Sequence, residues 1–374
     1  MNEEKYTYLI LSDYINPKIV GNMFNKKYWK PYQLTKNGKN GKNCKNNKTN
    51  YVDFVYFDGK YRWDRRLWNL KTNIYSAMGD EVYSVGDKAK LYDNFVKISP
   101  KLADKYMMKQ YKIDLLDKNN IDKLLKGNTY KNIFKDNTTW ILKPVDGFKG
   151  YGIKVVDNYN DMIEHLLTYK NKNDRYQLRR LKGSKPWVIS KYIDNPLLFD
   201  GKKFHIRLNL MYFIKKNNKN NNNKNNNNSN NSKNKITKGF LFKGGAIVRA
   251  RNKFVSKNYH NKNIHDTHHI VGDEIKFPEG FIKQFGINKT NKVMNEIINI
   301  SNIIFKILDN NNANCFPNNN NCFNMFGIDI MIDNNFNVKI LECNSQTGLI
   351  EYNIEEYFRN IIDITVGDLY PETL

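Results

Sequence analysis

Three side chains carry the strongest chemical signal: Asp329, Glu342 and Asn344, within Met325-Phe-Gly-Ile-Asp-Ile-Met-Ile-Asp-Asn-Asn-Phe-Asn-Val-Lys-Ile-Leu-Glu-Cys-Asn344. The segment reads as a β-hairpin. Ile328 to Asp333 alternates apolar and acidic residues, Val338 to Asn344 is a second strand-like run, and Asp333-Asn-Asn-Phe-Asn337 between them has turn chemistry. Pairing Asp333 with Val338 sets Met331 opposite Ile340 and Asp329 opposite Glu342. The period of two then puts Asp329, Glu342 and Asn344 on one face. Two carboxylates and an amide on neighbouring strands repel and desolvate badly unless a cation lies between them. Oxygen donors suit a hard divalent ion, and Mg2+ bridged to a nucleotide is the usual case. The plainer reading is a solvated sheet face.

A nucleotide needs a phosphate loop and an adenine slot. Trp140-Ile-Leu-Lys-Pro-Val-Asp-Gly-Phe-Lys-Gly-Tyr-Gly-Ile153 delivers Lys143 from a strand into a loop with Gly147, Gly150 and Gly152, then a second strand. Glycines let the backbone approach phosphate oxygens closely. No Gly-Lys-Ser/Thr opens a helix, so this is not a Walker loop, and the strand that follows excludes a Rossmann turn. Val188-Ile-Ser-Lys-Tyr-Ile193 is an apolar strand with a polar edge, suited to binding adenine through backbone groups. In Asp200-Gly-Lys-Lys-Phe-His-Ile-Arg207 the same period of two puts Lys203, His205 and Arg207 on one face. Three cationic groups side by side call for anions, and a triphosphate with a substrate carboxylate would supply them. A simple hairpin and a solvated basic strand are the bland alternatives.

These groups need a scaffold. Tyr6 to Ser12 and Tyr51 to Phe57 read as buried strands with a helix near Lys18 to Lys27 between them, while Lys36 to Asn50 reads as an inserted loop. Asp87 to Ser99 and Leu102 to Leu116 have helical periodicity, as does Asn160 to Tyr169. Strands are expected at Thr139 to Lys143, Tyr151 to Val156, Trp187 to Ile193, up to about Ile214, and from Gly239 to Arg249. Every residue from Lys215 to Lys235 is Lys, Asn or Ser, which cannot bury enough apolar surface to order itself. Asp309 to Asn321 is a second Asn-rich break, read as compositional drift.

Composition bounds the rest. The chain of 374 residues can hold several lobes with real cores, and its 40% hydrophobic and 13% aromatic content is that of a folded protein. Its 61 Lys+Arg against 37 Asp+Glu give a net charge of +24, which favours a polyanionic partner without choosing one. Cys44, Cys315, Cys322 and Cys343 show no metal or disulfide spacing, so reduced thiols in a cytoplasmic setting are expected. Met-Asn-Glu-Glu-Lys5 does not read as a signal peptide, and no apolar run is long enough to span a bilayer. The histidines His260, His265, His268 and His269 have no nearby Cys to complete a zinc site and read as part of a basic rim.

The order of these motifs resembles the tubulin tyrosine ligase-like family of ATP-grasp amino-acid ligases. The resemblance rests on Lys143-Pro with Gly150-Tyr-Gly-Ile153, on Lys191-Tyr-Ile-Asp-Asn-Pro-Leu-Leu-Phe-Asp-Gly-Lys-Lys-Phe-His-Ile-Arg207, and on Phe326-Gly-Ile-Asp329 with Leu341-Glu-Cys-Asn344. It runs from about Lys88 to Leu349. It implies an α/β (α+β) ATP-grasp fold: a small N-terminal lobe over 1–100, a central lobe over 101–186, and a C-terminal lobe over 187–374 carrying the insertion 215–235. ATP would lie between mostly antiparallel sheets. The implied nucleotide set is Lys88, Lys143, Lys149, Gly150, Ser190, Lys191, Tyr192, Ile193, Lys203, His205, Thr267 and His268. Lys203, Arg207 and Arg249 are the implied catalytic cations, and Asp329, Glu342 and Asn344 the implied Mg2+ ligands. The family would have Asp at His205, Asn at His268, and a proline after Asn344. The resemblance further implies a monomeric bare catalytic core in the cytoplasm or on the cytoskeleton. It would join a free amino acid, glutamate or tyrosine, to an acidic protein tail such as that of tubulin, rather than bind nucleic acid or membrane. The rival readings are an ATP-grasp ligase for another carboxylate, and an inactive basic binding protein.

Overall fold

The computed structural model describes residues 5–13, 15–34, 51–59, 61, 64–68, 70–113, 128–135, 138–145, 152–171, 186–216, 235–259, 261–267, 275–316, 319–345 and 354–373. Its strands are β1 (Tyr6–Leu11), β2 (Trp29–Pro31), β3 (Tyr51–Phe57), β4 (Lys71–Tyr75), β5 (Gln110–Ile113), β6 (Trp140–Pro144), β7 (Lys154–Val156), β8 (Trp187–Lys191), β9 (Leu198–Phe199), β10 (Lys202–Lys216), β11 (Lys235–Arg249), β12 (Ile275–Phe277), β13 (Asn319–Ile332) and β14 (Val338–Asn344). The helices of seven residues or more are α1 (Lys88–Ile98), α2 (Pro100–Tyr106), α3 (Tyr159–Asn171), α4 (Glu279–Phe285), α5 (Ile287–Asn310) and α6 (Ile354–Leu369).

Ten strands form one mixed sheet in the order β12-β11-β10-β13-β4-β3-β1-β2, with β14 also on β13 and β9 on β10. The strands β1 to β4 are joined in parallel, and β13 takes β4 in parallel and β10 and β14 antiparallel. β13 is thus the strand that ties the N-terminal unit to the C-terminal one. It is buried at nearly every position, as a strand covered on both faces must be. On one face α5 packs Val293, Ile297, Ile300, Ile304 and Ile307, a stripe at three- and four-residue spacing. On the other, Tyr357, Phe358, Ile361, Ile362 and Val366 of α6 cover Met211, Phe213, Phe323 and Met325. A second, four-stranded antiparallel sheet runs β5-β8-β6-β7, with α3 packing Met162 and Leu166 against Leu142 and Ile189. No helix among the described residues is long and apolar enough to cross a membrane.

The structure departs from several expectations. The helix expected over Leu102 to Leu116 ends at Tyr106, and Gln110–Ile113 instead pairs with Trp187–Lys191. The strand partner outweighs the local helical pattern, as tertiary pairing often does; residues 114–116 lie outside the described region. The helix near Lys18 to Lys27 is only Pro17–Gly21, started by Pro17 and capped by the Asn16 side chain on the Lys18 amide. The Lys/Asn tract is entered by strands at both ends, with Lys216 paired to Lys235, and 217–234 lie outside the described residues with the expected loop Lys36 to Asn50. Cys315 and Cys322 were expected to be reduced, yet they form a disulfide, because the chain reverses between the loop after α5 and β13; Cys343 is a free, buried thiol.

The second Asn-rich stretch is also more than drift. Asn319 and Asn321 are buried in β13. Asn321 Nδ2 donates to the carbonyl and Oδ1 of Asn73 at 3.0 and 2.8 Å, and its Oδ1 accepts from the Lys216 amide at 3.0 Å. One amide therefore joins β4, β13 and β10. Asn321→Ala should lower the unfolding free energy by about 1–3 kcal/mol, because it leaves buried partners unsatisfied. Equilibrium denaturation tests this, and a midpoint equal to that of the wild type refutes it.

Candidate active site

The two sheets face each other across a cleft that holds a cavity of about 330 Å3. Met107, Ile141, Val155, Met331 and Leu341 give it apolar walls, and Lys143, Ser190, Lys203 and Thr267 supply polar groups. Apolar walls with a few convergent polar groups suit a flat heterocycle carrying a charged tail.

The cations come from strand parity. Phe199-Asp200-Gly201-Lys202 is a tight β9–β10 hairpin with φ of 50° at Asp200 and 74° at Gly201, a turn that Asp-Gly favours. It sets the phase of β10. Lys203, His205 and Arg207 then share a face, and Met211 and Phe213 continue that same face under α6. Lys203 is buried, and its Nζ donates to Tyr192 Oη at 2.7 Å. Burial and the nearby Lys143 push its ammonium down to about 7. Lys143 is also held below the usual lysine range by desolvation, partly offset by Glu342.

The hairpin meets β10 at its charged end. Asp329 lies opposite Glu342 as expected, and opposite Arg207 on its other side. Near the tip the register differs: Met331 opposes Lys339, and Ile330 opposes Ile340. The Asp333 amide donates to the Asn337 carbonyl at 3.0 Å, with Phe336 at φ 62°, so the loop is one residue shorter than expected. A bulge between Asp329 and Ile330 restores the phase, so the carboxylates still face each other. Arg207 grips both Asp329 oxygens, through Nε to Oδ1 and through Nη2 to Oδ2 at 2.8 Å. His205 Nε2 is 3.6 Å from Asp329 Oδ1, and its Nδ1 is 2.6 Å from Thr267 Oγ1. Lys88 Nζ is 3.4 Å from Glu342 Oε2, and Asn344 Nδ2 donates to Glu342 Oε1 at 2.9 Å.

Burial pushes Asp329 up to about 6 against the pull of Arg207, with Glu342 adding to the rise. Glu342 stays well below the usual carboxylate range despite its burial, because Lys88, Asn344 and Lys143 favour its charge. Such a pair is what a divalent cation stabilises. With its amide nitrogen on Glu342, Asn344 keeps its oxygen for another partner. The donor set fits a hard ion, provided that phosphate or water oxygens complete it. Among the described residues no group of three His, Cys, Asp or Glu side chains is assembled for a metal, so Asn344 is needed.

The comparisons fall on this same stretch. The model of the tubulin-tyrosine ligase family matches residues 80–213 and 238–351, more than half of the chain. The chain belongs to the tubulin-tyrosine ligase family. It is 24% identical over 239 residues to a probable alpha-tubulin polyglutamylase of Tetrahymena thermophila, covering 62% of this chain and 55% of that protein. It is 26% identical over 256 residues to a probable tubulin polyglutamylase of Caenorhabditis elegans, covering 62% and 53%. A tubulin glycylase of Tetrahymena thermophila is 28% identical over 243 residues, covering 60% of this chain and 20% of its own length. The chain spans about half the length of the first two relatives.

Not every residue expected from the family lies in the cleft. Arg249 pairs with Phe204, so it shares Phe204's face and not that of Lys203 and Arg207. Its Nη1 donates to Asp200 Oδ2 at 2.8 Å, which fastens β11 to the hairpin turn. The amides of Lys191 and Tyr192 donate to the carbonyls of Lys109 and Thr139 at 2.8 and 2.9 Å, so adenine would have to use other groups of this linker, such as Ile193. Ser190 Oγ donates to Gln110 Oε1 at 3.1 Å beside the cavity. Lys149, Gly150 and His268 lie outside the described residues. Sequence reasoning missed Gln110, Met331, Leu341 and the role of His265. Gln110 sat in an expected helix, and only the folded cleft brings the others together.

The Arg207–Asp329 pair is buried on the carboxylate side, so its loss should be costly and asymmetric. Arg207→Leu is expected to lower stability by about 3–5 kcal/mol by leaving a buried charge uncompensated. Arg207→Leu with Asp329→Asn should cost less than the two single changes together. A double-mutant cycle by urea unfolding reads this directly, and strict additivity rejects the coupling.

Proposed function

We propose that this chain is an ATP- and Mg2+-dependent ligase that joins an amino acid to a carboxylate on an acidic protein tail, that of tubulin, through an acylphosphate. The observation that carries this reading is the order of groups along one sheet face. An apolar slot comes first, then Lys203, then Arg207, Asp329 and Glu342 side by side. A nucleoside fills the slot and its phosphates run toward the acidic end.

The acceptor carboxylate attacks the γ-phosphorus of ATP, and ADP departs. The amine of the donor amino acid then attacks the acyl carbon, phosphate departs with the bond electrons, and a proton is lost from nitrogen as the amide forms. Lys143 and Lys203 hold phosphate oxygens. Arg207 would approach the acyl carbon, and its guanidinium suits a carboxylate or the tetrahedral oxyanion. Asp329, Glu342 and Asn344 would hold Mg2+, which when bound neutralises phosphate charge. No enzyme nucleophile is needed, so placement and electrostatics carry the rate.

Glutamate is the favoured donor, with tyrosine next, because a cationic cleft suits a second carboxylate. The names of the first relatives, both polyglutamylases, point the same way. The net charge of +24 suits an acidic tail, and cytoskeletal association would follow from a tubulin substrate.

Purified protein incubated with ATP, Mg2+, tubulin and labelled glutamate, tyrosine or glycine should label tubulin. Glu342→Gln should lower the rate by roughly a hundredfold or more, the loss typical of one charged transition-state contact. ATP consumption with no label on tubulin would favour a different carboxylate acceptor. Tubulin binding with no turnover, unchanged in Glu342→Gln, would make the chain a binding protein and end the ligase reading.

A further inference from the structure

Behind Lys203 runs a short chain of hydrogen bonds that the reaction itself does not use. Lys203 Nζ donates to Tyr192 Oη at 2.7 Å, Tyr192 Oη is 2.7 Å from His265 Nδ1, and His265 Nε2 is 2.8 Å from the Asn258 carbonyl oxygen. A carbonyl only accepts, so Nε2 carries the proton. Burial and the charge of Lys203 push the His265 imidazole down to about 4, so it is neutral near pH 7 and its Nδ1 is bare. The Tyr192 hydroxyl must therefore donate to His265, which leaves its lone pairs for Lys203. Every proton in the chain has one direction, set by a backbone carbonyl in the segment that closes over the linker after β8. That segment is held there by Tyr259, whose hydroxyl lies 3.0 Å from Thr139 Oγ1 and donates to Asp194 Oδ1 at 3.2 Å.

We propose that Tyr192 and His265 are positioning residues that hold the Lys203 ammonium in the cleft for the phosphates of a nucleotide, an inference that rests on reading the cleft as an ATP site. Lys203 lines the cavity while 4% exposed, and Tyr192 is the only hydrogen-bond partner of its ammonium among the described residues. A buried ammonium with one acceptor has donors to offer an anion and a fixed direction in which to offer them. The charged and titratable groups around it are Lys143 from β6, Asp194 and Tyr192 from the linker, and His265 and Asp266 from the closing segment.

The sign of the pH effect follows. A bound triphosphate favours the charged ammonium, so ATP affinity should fall as pH rises through and above 7, where the empty site releases the Lys203 proton. Removing the Tyr192 hydroxyl removes an acceptor from the ammonium, so the proton is lost at lower pH and the fall in affinity moves with it.

The test is direct titration of the full chain with ATP between pH 6 and 9. Tyr192→Phe keeps the ring and should bind ATP roughly tenfold more weakly at pH 7.5, as expected for a lost hydrogen bond to a charged group. Its affinity profile should also shift to lower pH. His265→Ala should move both quantities the same way, and His265→Asn, which keeps an acceptor near the Nδ1 position, should restore them in part. In turnover, KM for ATP should rise more than kcat falls. Wild-type affinity and pH profile in both Tyr192→Phe and His265→Ala would overturn the inference, as would weaker binding with an unmoved profile. Failure of the wild type to bind ATP would instead remove the nucleotide reading, and the inference with it. Circular dichroism checks folding, and if Tyr192→Phe does not fold the two His265 variants carry the test.

Discussion

Two carboxylates set opposite each other near the middle of a sheet are the constraint that organises this molecule. Asp329 and Glu342 sit on adjacent strands, Asp329 fully buried and Glu342 partly so, where water screens their charges only weakly. Buried charge survives only when paired. Here the pairing comes from three separate places: Arg207 on the next strand, Lys88 at the start of α1, and Lys143 on the facing sheet. Each compensating cation fixes the distance between two elements. The acidic pair therefore draws α1, the large sheet and the small sheet together around the cleft, and it leaves a charge arrangement that a triphosphate with a divalent ion would complete.

Much of that arrangement could be read from spacing. Period two is rigid, so Lys203, His205 and Arg207 had to share a face once β10 was a strand, and an Asp-Gly turn made its phase definite. The opposition of Asp329 and Glu342 survived a misjudged turn, because a one-residue shift at the tip is undone by a bulge before it reaches them. Register against a distant strand was not legible in this way. The connection from β10 to β11 passes through a Lys/Asn tract with no turn signal, and β10 carries an irregularity between Leu208 and Leu210. Nothing local says whether Arg249 or Val248 faces the cleft. The pairing of Arg249 with Phe204 decides it, and that pairing is tertiary.

Composition misled in two places for the same physical reason. Asn319 and Asn321 look like members of a polar break, yet Asn319 Oδ1 accepts from the Thr72 hydroxyl and the Asn321 amide satisfies backbone groups where three strands meet, and that pairing makes burial affordable. Cys315 and Cys322 have no recognisable spacing because their proximity comes from the reversal between α5 and β13, not from a local motif. α5 and α6 were not among the elements expected. Their apolar stripes are plain in retrospect, but which face each covers depends on sheet parity that only the folded molecule displays.

That parity also explains why the site lies where it does. One face of β10 and β13 is a single continuous row from Phe213 and Phe323, through Met211 and Met325, to Arg207 and Asp329, and on to Lys203. α6 covers the apolar half of the row. Among the described residues no long helix covers the charged half, which faces the small sheet across the cavity. The change from aromatic to charged residues along one strand face thus marks the edge of the core and the start of the chemistry. A rigid, doubly packed strand on one side of that edge holds the charged groups on the other side to the precision that the proposed phosphoryl and acyl transfer would demand. Among the described residues no strand pairing joins the small sheet to this floor, and the two face each other across the cavity. Motion that admits substrates should therefore occur between the sheets rather than within the large one.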